Sequence, residues 1–249
     1  MINVRQQEIL KMIIKEYVDT AQPVSSGTLV KKCKLKASPA TIRAEMKKLE
    51  EEKYLFQPYT SAGRVPTDKG YRFFINSLMK KRELTFREQK VLQQKFLENK
   101  EIDQLMPGIA ELLADMSSNL VIGGILNPDQ SEFYHSSFEE KCRFYKAGVG
   151  RLLREPEFGY GDSWQIAEIL DYLDKNIKQL FDVIQDKTIE IYIGEENPIR
   201  QMRELSVIIS GQKLGPKSKR LVAILGPRRM RYDRNIALIE YINKLLEQL

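Results

Sequence analysis

The stretch YTSAGRVPTDKGYRFF, residues 59–74, places a basic, glycine-containing loop directly before an aromatic helix. It is too polar for a core segment and holds no catalytic or metal-binding motif. Gly63 permits a positive φ and a close backbone approach, and Ser61 and Arg64 offer partners for phosphates. Thr67 or Asp68 caps the next helix. The stretch therefore predicts a loop that contacts a polyanion, and the preceding residues test that interpretation.

Upstream of this loop the sequence predicts a group of short helices. Residues 3–20 form the first, capped by Asn3, and SSGTLVKKC forms the second from Ser25 or Ser26. In ASPATIRAEMKKLEEEKYL, Ser38 is a good N-cap and a proline takes the first helical position, where its missing N–H costs nothing. Helices this short and this close in sequence suggest a helix-turn-helix unit.

The third helix has two contrasting faces. At 100° per residue, Ile42, Met46 and Leu49 form a buried stripe. The opposite side carries small residues and cations: Ala40, Arg43, Ala44 and Lys47, with Thr41 and Lys48 at the flank. Small residues let a helix approach the major groove, where Arg43 with Thr41 can contact bases. An ordinary solvated face with a few cations remains the alternative.

The loop at residues 59–66 then takes the place of the wing in a winged helix, beside the recognition helix. Tyr59 and Tyr71 either contact the DNA backbone or pack in the core. The predicted DNA-binding residues are Ser25, Ser26, Ser38, Thr41, Arg43, Lys47, Lys48, Ser61, Gly63 and Arg64. Of these, Arg43 is expected to contact bases, and the lysines, Ser25, Ser26, Ser61 and Arg64 are expected to contact phosphates.

The charge distribution favours the same end of the chain. Residues 1–82 contain 17 Lys and Arg against 8 Asp and Glu, whereas the remainder contains 23 against 26. The net charge of +6 therefore arises from a basic N-terminal part. Such asymmetry points to a module that binds a polyanion.

Other functional classes have little support in the sequence. Two distant cysteines and one histidine, His135, provide no zinc site. There is no phosphate-binding or dinucleotide-binding glycine motif and no G-x-S-x-G, so we expect neither an enzyme nor a cofactor. No apolar run approaches the ~20 residues of a membrane span, and no signal peptide is recognised. A reducing cytoplasm, at the nucleoid, is the expected location.

The remaining residues predict an α+β arrangement. Helices are expected at residues 85–100, with a TFRE capping box, in MPGIAELLADMSS, in SWQIAEILDYLDKNIKQLFDVI, and from Tyr232 to Leu249. The predicted strands are NLVIGGIL, EFYHSSF, CRFYKAGV, TIEIYIG, LSVIISGQ and RLVAILG, with NPDQ as a turn.

The segment GPRRMRY precedes a helix and makes Arg228, Arg229 and Arg231 a candidate anion site. A strand-to-helix turn with exposed arginines explains the segment structurally and is the favoured alternative.

Several motifs resemble the HrcA family of bacterial heat-inducible transcription repressors. PVSSGTLVKK, SPATIRAEM and QPYTSAGRVPTDKGYR are similar to its DNA-binding domain, and LLREPEFG, IYIGEENPIRQMRELSVIIS and LGPRRMRYDRNIALIEYINKLLEQL are similar to its C-terminal domain. The resemblance implies a homodimer that binds an inverted-repeat operator, called CIRCE, upstream of chaperone genes. It also implies a GAF-like C-terminal domain and help from the GroEL chaperonin. The expected organisation is a winged-helix domain at 1–82, connecting helices at 83–118 and a GAF-like domain at 119–249.

The chain departs from the family pattern at two places. Family members usually carry Asn-Asp after the SPATIR arginine, whereas this chain has Ala44-Glu45, which leaves the operator sequence open. They also usually carry an inserted dimerisation domain within the GAF-like part, for which the chain is too short. A dimer would then form through the GAF-like domains and the helices at 85–117. Packing of those helices on their own domain is the alternative.

Two further hypotheses differ in function. In one, the GAF-like domain senses a small anionic ligand at the GPRRMRY turn. In the other, an enzyme or an RNA-binding protein carries a winged helix. The absence of a catalytic constellation counts against an enzyme, and comparing duplex RNA with duplex DNA would test RNA binding.

Overall fold

The computed structural model describes residues 2–33, 37–98, 102–126, 142–158, 163–214 and 218–248. The chain divides into two compact units. The first comprises Met1–Lys80 with Arg228–Met230, and the second comprises Lys81–Pro227 with Arg231–Leu249. The predicted strand EFYHSSF, the NPDQ turn and His135 lie outside the described residues.

The first unit begins with the predicted helices. They are α1 (Val4–Thr20), α2 (Ser26–Cys33) and α3 (Pro39–Glu51). Each begins where its sequence supplies an N-cap: Asn3 accepts from the Gln6 amide, and Ser38 accepts from the Thr41 amide. The side chains that α1, α2 and α3 bury include Leu10, Ile13, Leu29, Ile42 and Leu49. Burial of such side chains stabilises a fold by about 1.5–3 kcal/mol each.

A short hairpin follows α3. Strands β1 (Leu55–Phe56) and β2 (Val65–Pro66) pair antiparallel. Thr67 then caps helix α4 (Asp68–Phe73), because its hydroxyl accepts from the Gly70 amide over 3.1 Å. The same hydroxyl donates to the carbonyl of Lys53 over 2.7 Å, which fixes the start of α4 to the turn that follows α3. A π-helical turn, Phe74–Leu78, completes the segment.

The second unit is built on an antiparallel sheet. Its described strands are β3 (Leu120–Leu126), β4 (Cys142–Ala147), β5 (Ile189–Ile193), β6 (Ser206–Lys213) and β7 (Lys219–Gly226). They lie in the order β4-β3-β7-β6-β5. In the register of the central pair, Ile122 stands opposite Ala223. These strands coincide with predicted ones, and together with the helices they confirm the mixed α+β class.

Helices cover this sheet on both faces. They are α5 (Phe86–Glu98), α6 (Ile102–Ser117), α7 (Val149–Leu152), α8 (Ser163–Asn176), α9 (Lys178–Val183) and α10 (Tyr232–Leu246). Alternate strand residues, such as Leu120 and Ile122, join one apolar core with α8 and α9. Helix α6 packs on β3 and β4, and α10 packs on β5 and β6. Two covered faces explain why β3, β6 and β7 are buried at successive positions.

The paired glycines of β3 have a packing reason. A Cβ at Gly123 would lie 2.8 Å from the Met106 methyl group, and one at Gly124 would lie 3.1 Å from the Phe181 ring. Met106 belongs to α6 and Phe181 to α9. The two glycines therefore let helices approach the same strand from opposite faces.

Two helix predictions were wrong in extent. Helix α6 begins at Ile102, five residues before Pro107, because one missing N–H removes only one bond and the buried Leu105 and Met106 extend the apolar face. The segment SWQIAEILDYLDKNIKQLFDVI forms two helices, α8 and α9, which are separated at Ile177. Ile177 continues the buried stripe across the break, so the apolar period gave no sign of it.

The predicted capping box at the start of α5 is confirmed. The Thr85 amide donates to Glu88 over 2.9 Å, and the Glu88 amide donates to the Thr85 hydroxyl over 3.3 Å. Glu88 also lies 3.2 Å from Arg234 of α10 and 3.6 Å from Arg82. Burial raises the pKa of Glu88, but the bonds from Thr85 and the two guanidinium groups outweigh it and lower the pKa. None of the described helices is long and apolar enough to cross a membrane.

Candidate nucleic-acid interface

The predicted serine contacts divide into helix caps and a buried residue. Ser25 caps α2 by accepting from the Thr28 amide over 3.1 Å, and Ser38 caps α3. Both are exposed. Ser26, in contrast, is only 6% exposed. Ser26 is the first residue of α2, and its burial there leaves its side chain little access to a phosphate.

Helix α3 shows the two faces that the sequence predicts. Ile42, Met46 and Leu49 are buried, whereas Arg43 and Lys47 are exposed. The exposed face is continued by Ala40 and Ala44, whose small side chains leave the helix backbone accessible. This face can therefore approach another macromolecule closely.

The cations of α3 differ in their partners. Within the described residues, Arg43 forms no ion pair and no side-chain hydrogen bond. Lys47 lies 4.0 Å from Glu51, with both side chains largely exposed, so this contact is weak. Lys48 donates to Glu45 over 3.2 Å. Arg43 is thus the cation that is most available to a ligand of this face, with the partly buried Thr41 beside it.

Glu45, which with Ala44 replaces the usual Asn-Asp pair after the SPATIR arginine, has a structural role. Its Oε2 accepts from the Gln6 side chain over 2.9 Å, and its Oε1 accepts from Lys48. Burial raises the pKa of Glu45, but these two hydrogen bonds and the nearby cations outweigh it and hold the pKa below 4.5. Glu45 therefore ties α3 to α1 and turns away from the Arg43 face.

The predicted wing corresponds to the loop of residues 57–64 between β1 and β2, and we use the name wing for this loop. Its turn is closed by the Ala62 amide, which donates to the Tyr59 carbonyl over 3.0 Å, and by the Gln57 side chain, which donates to the Ala62 carbonyl over 3.0 Å. Ser61 is exposed and has a φ of 72°. Tyr59 is 66% exposed, so it stands at the tip and is not a core residue.

Gly63 has a role that differs in part from the prediction. Its φ is not positive, and the left-handed residue of the wing is Ser61. The structure does show a close backbone approach, but it is to the chain itself: a Cβ at Gly63 would lie 2.4 Å from the carbonyl carbon of Val24. Beside it, Arg64 and Val24 exchange backbone hydrogen bonds of 2.9 and 3.0 Å. Only glycine fits where the wing crosses the segment before α2.

Arg64 faces inward at the base of the wing. Its Nε and Nη2 lie 3.0 and 2.8 Å from Oε2 of Glu50, the penultimate residue of α3. Its Nη1 is 3.4 Å from the carbonyl oxygens of both Ala62 and Gly63. Sequence reasoning missed Glu50, because its position within a run of three glutamates does not show which one faces the wing.

The arginines of the candidate anion site have the following positions. Arg228 Nε lies 3.3 Å from Asp68, and Arg229 donates to the carbonyl of Val18 over 3.2 Å. Arg231 stands at the N-cap position of α10 without a side-chain capping bond. Arg228 and Arg229 thus already have protein partners. Within the described ranges, no group of His, Cys, Asp and Glu side chains is placed to hold a metal ion.

A family model and the similar curated proteins point to the same family. The model of the HrcA protein C-terminal domain matches residues 69–236. The heat-inducible transcription repressor HrcA of Moorella thermoacetica is 26% identical over 336 positions, which cover 98% of this chain and 96% of the relative. The repressor HrcA of Acetivibrio thermocellus is 28% identical over 333 positions, which cover 98% and 95%.

These alignments are longer than the chain. The first has 336 positions against 249 residues, so the relative contains at least 87 positions with no counterpart here. A solved crystal structure, described as that of a hypothetical protein, is similar over 99% of this chain and 98% of its own, with a TM-score of 0.74 and 21% identity. That likeness supports the fold alone.

Proposed function

Since the chain belongs to the HrcA family, whose C-terminal model matches residues 69–236, we propose that it represses transcription by occupying a specific DNA operator. The observation that carries the proposal is the exposed face of α3, where small residues surround Arg43, which forms no ion pair with any residue that the structure describes. The relatives are transcription repressors and not enzymes. The proposed action is therefore occupancy of DNA and not a chemical step.

Arg43 with Thr41 and the start of α3 is proposed to contact bases in the major groove. A guanidinium group suits this role because it can donate two bonds to a guanine edge. Phosphates would be held by the exposed polar residues around this face: Ser25, Ser38, Lys47, Lys48 and Ser61. We leave the buried Ser26 out of this set. Gly63 and Arg64 are proposed to contribute to DNA binding as residues of the wing.

We propose a winged-helix domain followed by a GAF-like domain. The hairpin that follows α3 supports the first, and the antiparallel sheet covered on both faces supports the second. Helices α5 and α6, which lie in the connecting segment proposed at 83–118, belong to the same unit as that sheet, and α6 packs on β3. Action on chromosomal DNA would place the protein in the cytoplasm, at the nucleoid.

An inverted-repeat operator requires two copies of the chain. In a homodimer, two α3 helices would enter successive major grooves, about 34 Å apart. We propose that the dimer forms through the second unit, because the chain is too short for the additional segments of its relatives. Heat-shock chaperone genes as targets and dependence on GroEL belong to the same proposal and rest on the family alone.

Fluorescence anisotropy of the full chain on a CIRCE-type inverted repeat tests the proposal. The controls are a shuffled DNA duplex and an RNA duplex at the same salt concentration, because phosphate contacts depend strongly on salt. We expect a preference of about a thousandfold or more for the repeat over the shuffled duplex. Weak and equal binding to the two DNA duplexes would contradict sequence-specific repression at this operator. Equal affinity for RNA would favour an RNA-binding protein instead.

A further inference from the structure

The contacts of Arg64 connect three parts of the first unit. Its guanidinium group places two nitrogens on one oxygen of Glu50, at the end of α3. Its third nitrogen faces carbonyl oxygens of the wing, and its backbone pairs with Val24, just before α2. One residue therefore joins the wing, the proposed recognition helix and the turn between α1 and α2.

The ion pair is well placed to hold this arrangement. The side chains of Arg64 and Glu50 are only 16% and 32% exposed. A charge-assisted pair with two nitrogens on one carboxylate is stronger and more directional than an exposed surface pair. Loss of either partner would leave the other charge unpaired in a partly buried position, which is costly.

The rest of the wing carries no charge. Residues 57–63 are Gln-Pro-Tyr-Thr-Ser-Ala-Gly. Since the guanidinium group of Arg64 is occupied by Glu50, the groups left at the tip are uncharged, and Tyr59 and Ser61 are exposed there. A wing of this kind contacts DNA through hydroxyl groups and an aromatic ring, and its effect depends on where it is held.

We propose that Glu50 and Arg64 are positioning residues that fix the wing relative to α3, and that Arg64 does not itself bind a phosphate. This inference rests on the proposed function. The uncharged tip, at Tyr59 and Ser61, then makes the wing's contacts with DNA. The proposal assigns Glu50, an acidic residue, a positive contribution to DNA affinity.

The sign of the effect of Glu50→Ala is the first test. Removal of an acidic residue next to DNA should tighten binding if only electrostatics acts. We expect instead that Glu50→Ala weakens binding to the inverted repeat by about tenfold. Glu51→Ala is the matched control, because it removes the same charge from the next position of α3, and within the described part of the chain the ion-pair partner of Glu51 is the exposed Lys47. Tighter binding by both variants would overturn the proposal.

The salt dependence of Arg64→Ala is the second test. A lost phosphate contact lowers the slope of log K against log salt by about 0.9, whereas a lost positioning residue leaves the slope unchanged. We expect an unchanged slope for Arg64→Ala. We also expect the double variant Glu50→Ala/Arg64→Ala to bind with the same affinity as Arg64→Ala alone. A slope lowered by about 0.9 would show a phosphate contact and refute this role for Arg64.

Amide hydrogen exchange in the free chain separates this proposal from the proposed function. The Ala62 amide bonds to Tyr59, and the Arg64 amide bonds to Val24 over 2.9 Å. Glu50→Ala should speed exchange at both amides, and Glu51→Ala should not. If the wild-type chain bound no DNA duplex, the proposed function as a repressor would be wrong. Hydrogen exchange in the free chain would still test whether Glu50 positions the wing. Equal exchange in both variants and the wild type would overturn that role.

Discussion

The Gln6 carboxamide donates to Oε2 of Glu45 over 2.9 Å, and this bond joins the first turn of α1 to the middle of α3. Gln6 is buried and also completes the capping box of α1, in which Asn3 and Gln6 each accept the other's backbone N–H over 2.9 Å. The Gln6 side chain therefore caps the N-terminus of α1 and also ties α1 to the proposed recognition helix, α3.

Gln6→Ala should lower the free energy of unfolding by about 1–3 kcal/mol, because it removes the acceptor of the Asn3 amide and leaves a partly buried carboxylate with one fewer donor. Urea denaturation at neutral pH measures the change. Gln7→Ala is the control, since Gln7 is the same residue type on the same turn and, among the described residues, its side chain donates to the carbonyl of Ile2. Equal losses in both variants would show that the bond to Glu45 contributes nothing.

The stability that Glu45 provides should depend on pH. Its folded-state pKa lies below the usual 4.5, so the unfolded chain binds its proton first as the pH falls. The contribution is therefore complete above about pH 4.5 and is lost as the pH falls through the lower folded-state pKa. Urea denaturation of the wild type and Glu45→Gln from pH 7 to pH 3 should show a difference that shrinks only below about pH 4.5. A difference that does not change with pH would contradict this.

Gly63→Ala should destabilise the first unit by about 1–3 kcal/mol, because the added Cβ would meet the backbone of Val24 at 2.4 Å and no flexible side chain can yield there. The measurement is the midpoint of urea unfolding. Gly27→Ala is a matched control within α2, where the nearest atom to the new Cβ is 3.6 Å away. That variant should be unchanged or more stable.

Arg43→Ala should relax the preference for one base pair in each half-site, at a cost of about 1–3 kcal/mol on the operator. Lys47→Ala should weaken binding to all duplexes alike and lower the salt slope by about 0.9. Anisotropy titrations with single-base variants of the repeat measure both. If Arg43→Ala lowered the affinities for operator and shuffled duplex equally, its role in contacting bases would be wrong.

Local chemistry predicted much of this fold. Ser38 and Pro39 mark the start of α3 from the sequence alone. An N-cap side chain and a proline at the first position leave fewer unpaired backbone N–H groups at a helix start, and neither effect needs a tertiary partner. Apolar periodicity placed the buried side of α3 and the described strands correctly. The residues that face Arg64 and Glu45 were not predictable in this way, because they lie 14 and 39 positions away in the sequence.

The wing shows why the candidate site was only partly predictable. A glycine in a polar loop indicates either a positive φ or a close approach, and only the position of Val24 shows that Gly63 serves the second. Likewise, an arginine in a basic loop indicates a phosphate contact until its tertiary partner is known. Composition gives the sign of the charge on a surface, whereas the availability of each cation for a ligand depends on its packing in the fold.

The outward face of α5 provides the last prediction, on the dimer. Phe86 and Leu97 are each 83% exposed, and eleven residues of helix place them within about 20° on one side, about 16 Å apart along the axis. Their double replacement by serine should weaken a dimer that uses this helix, because it removes apolar area from the interface. Sedimentation velocity of the full chain across a concentration series measures the change. Trp164→Ser, which removes an exposed apolar side chain from α8, is the control, and an unchanged dimer in the double variant would exclude α5 as the interface.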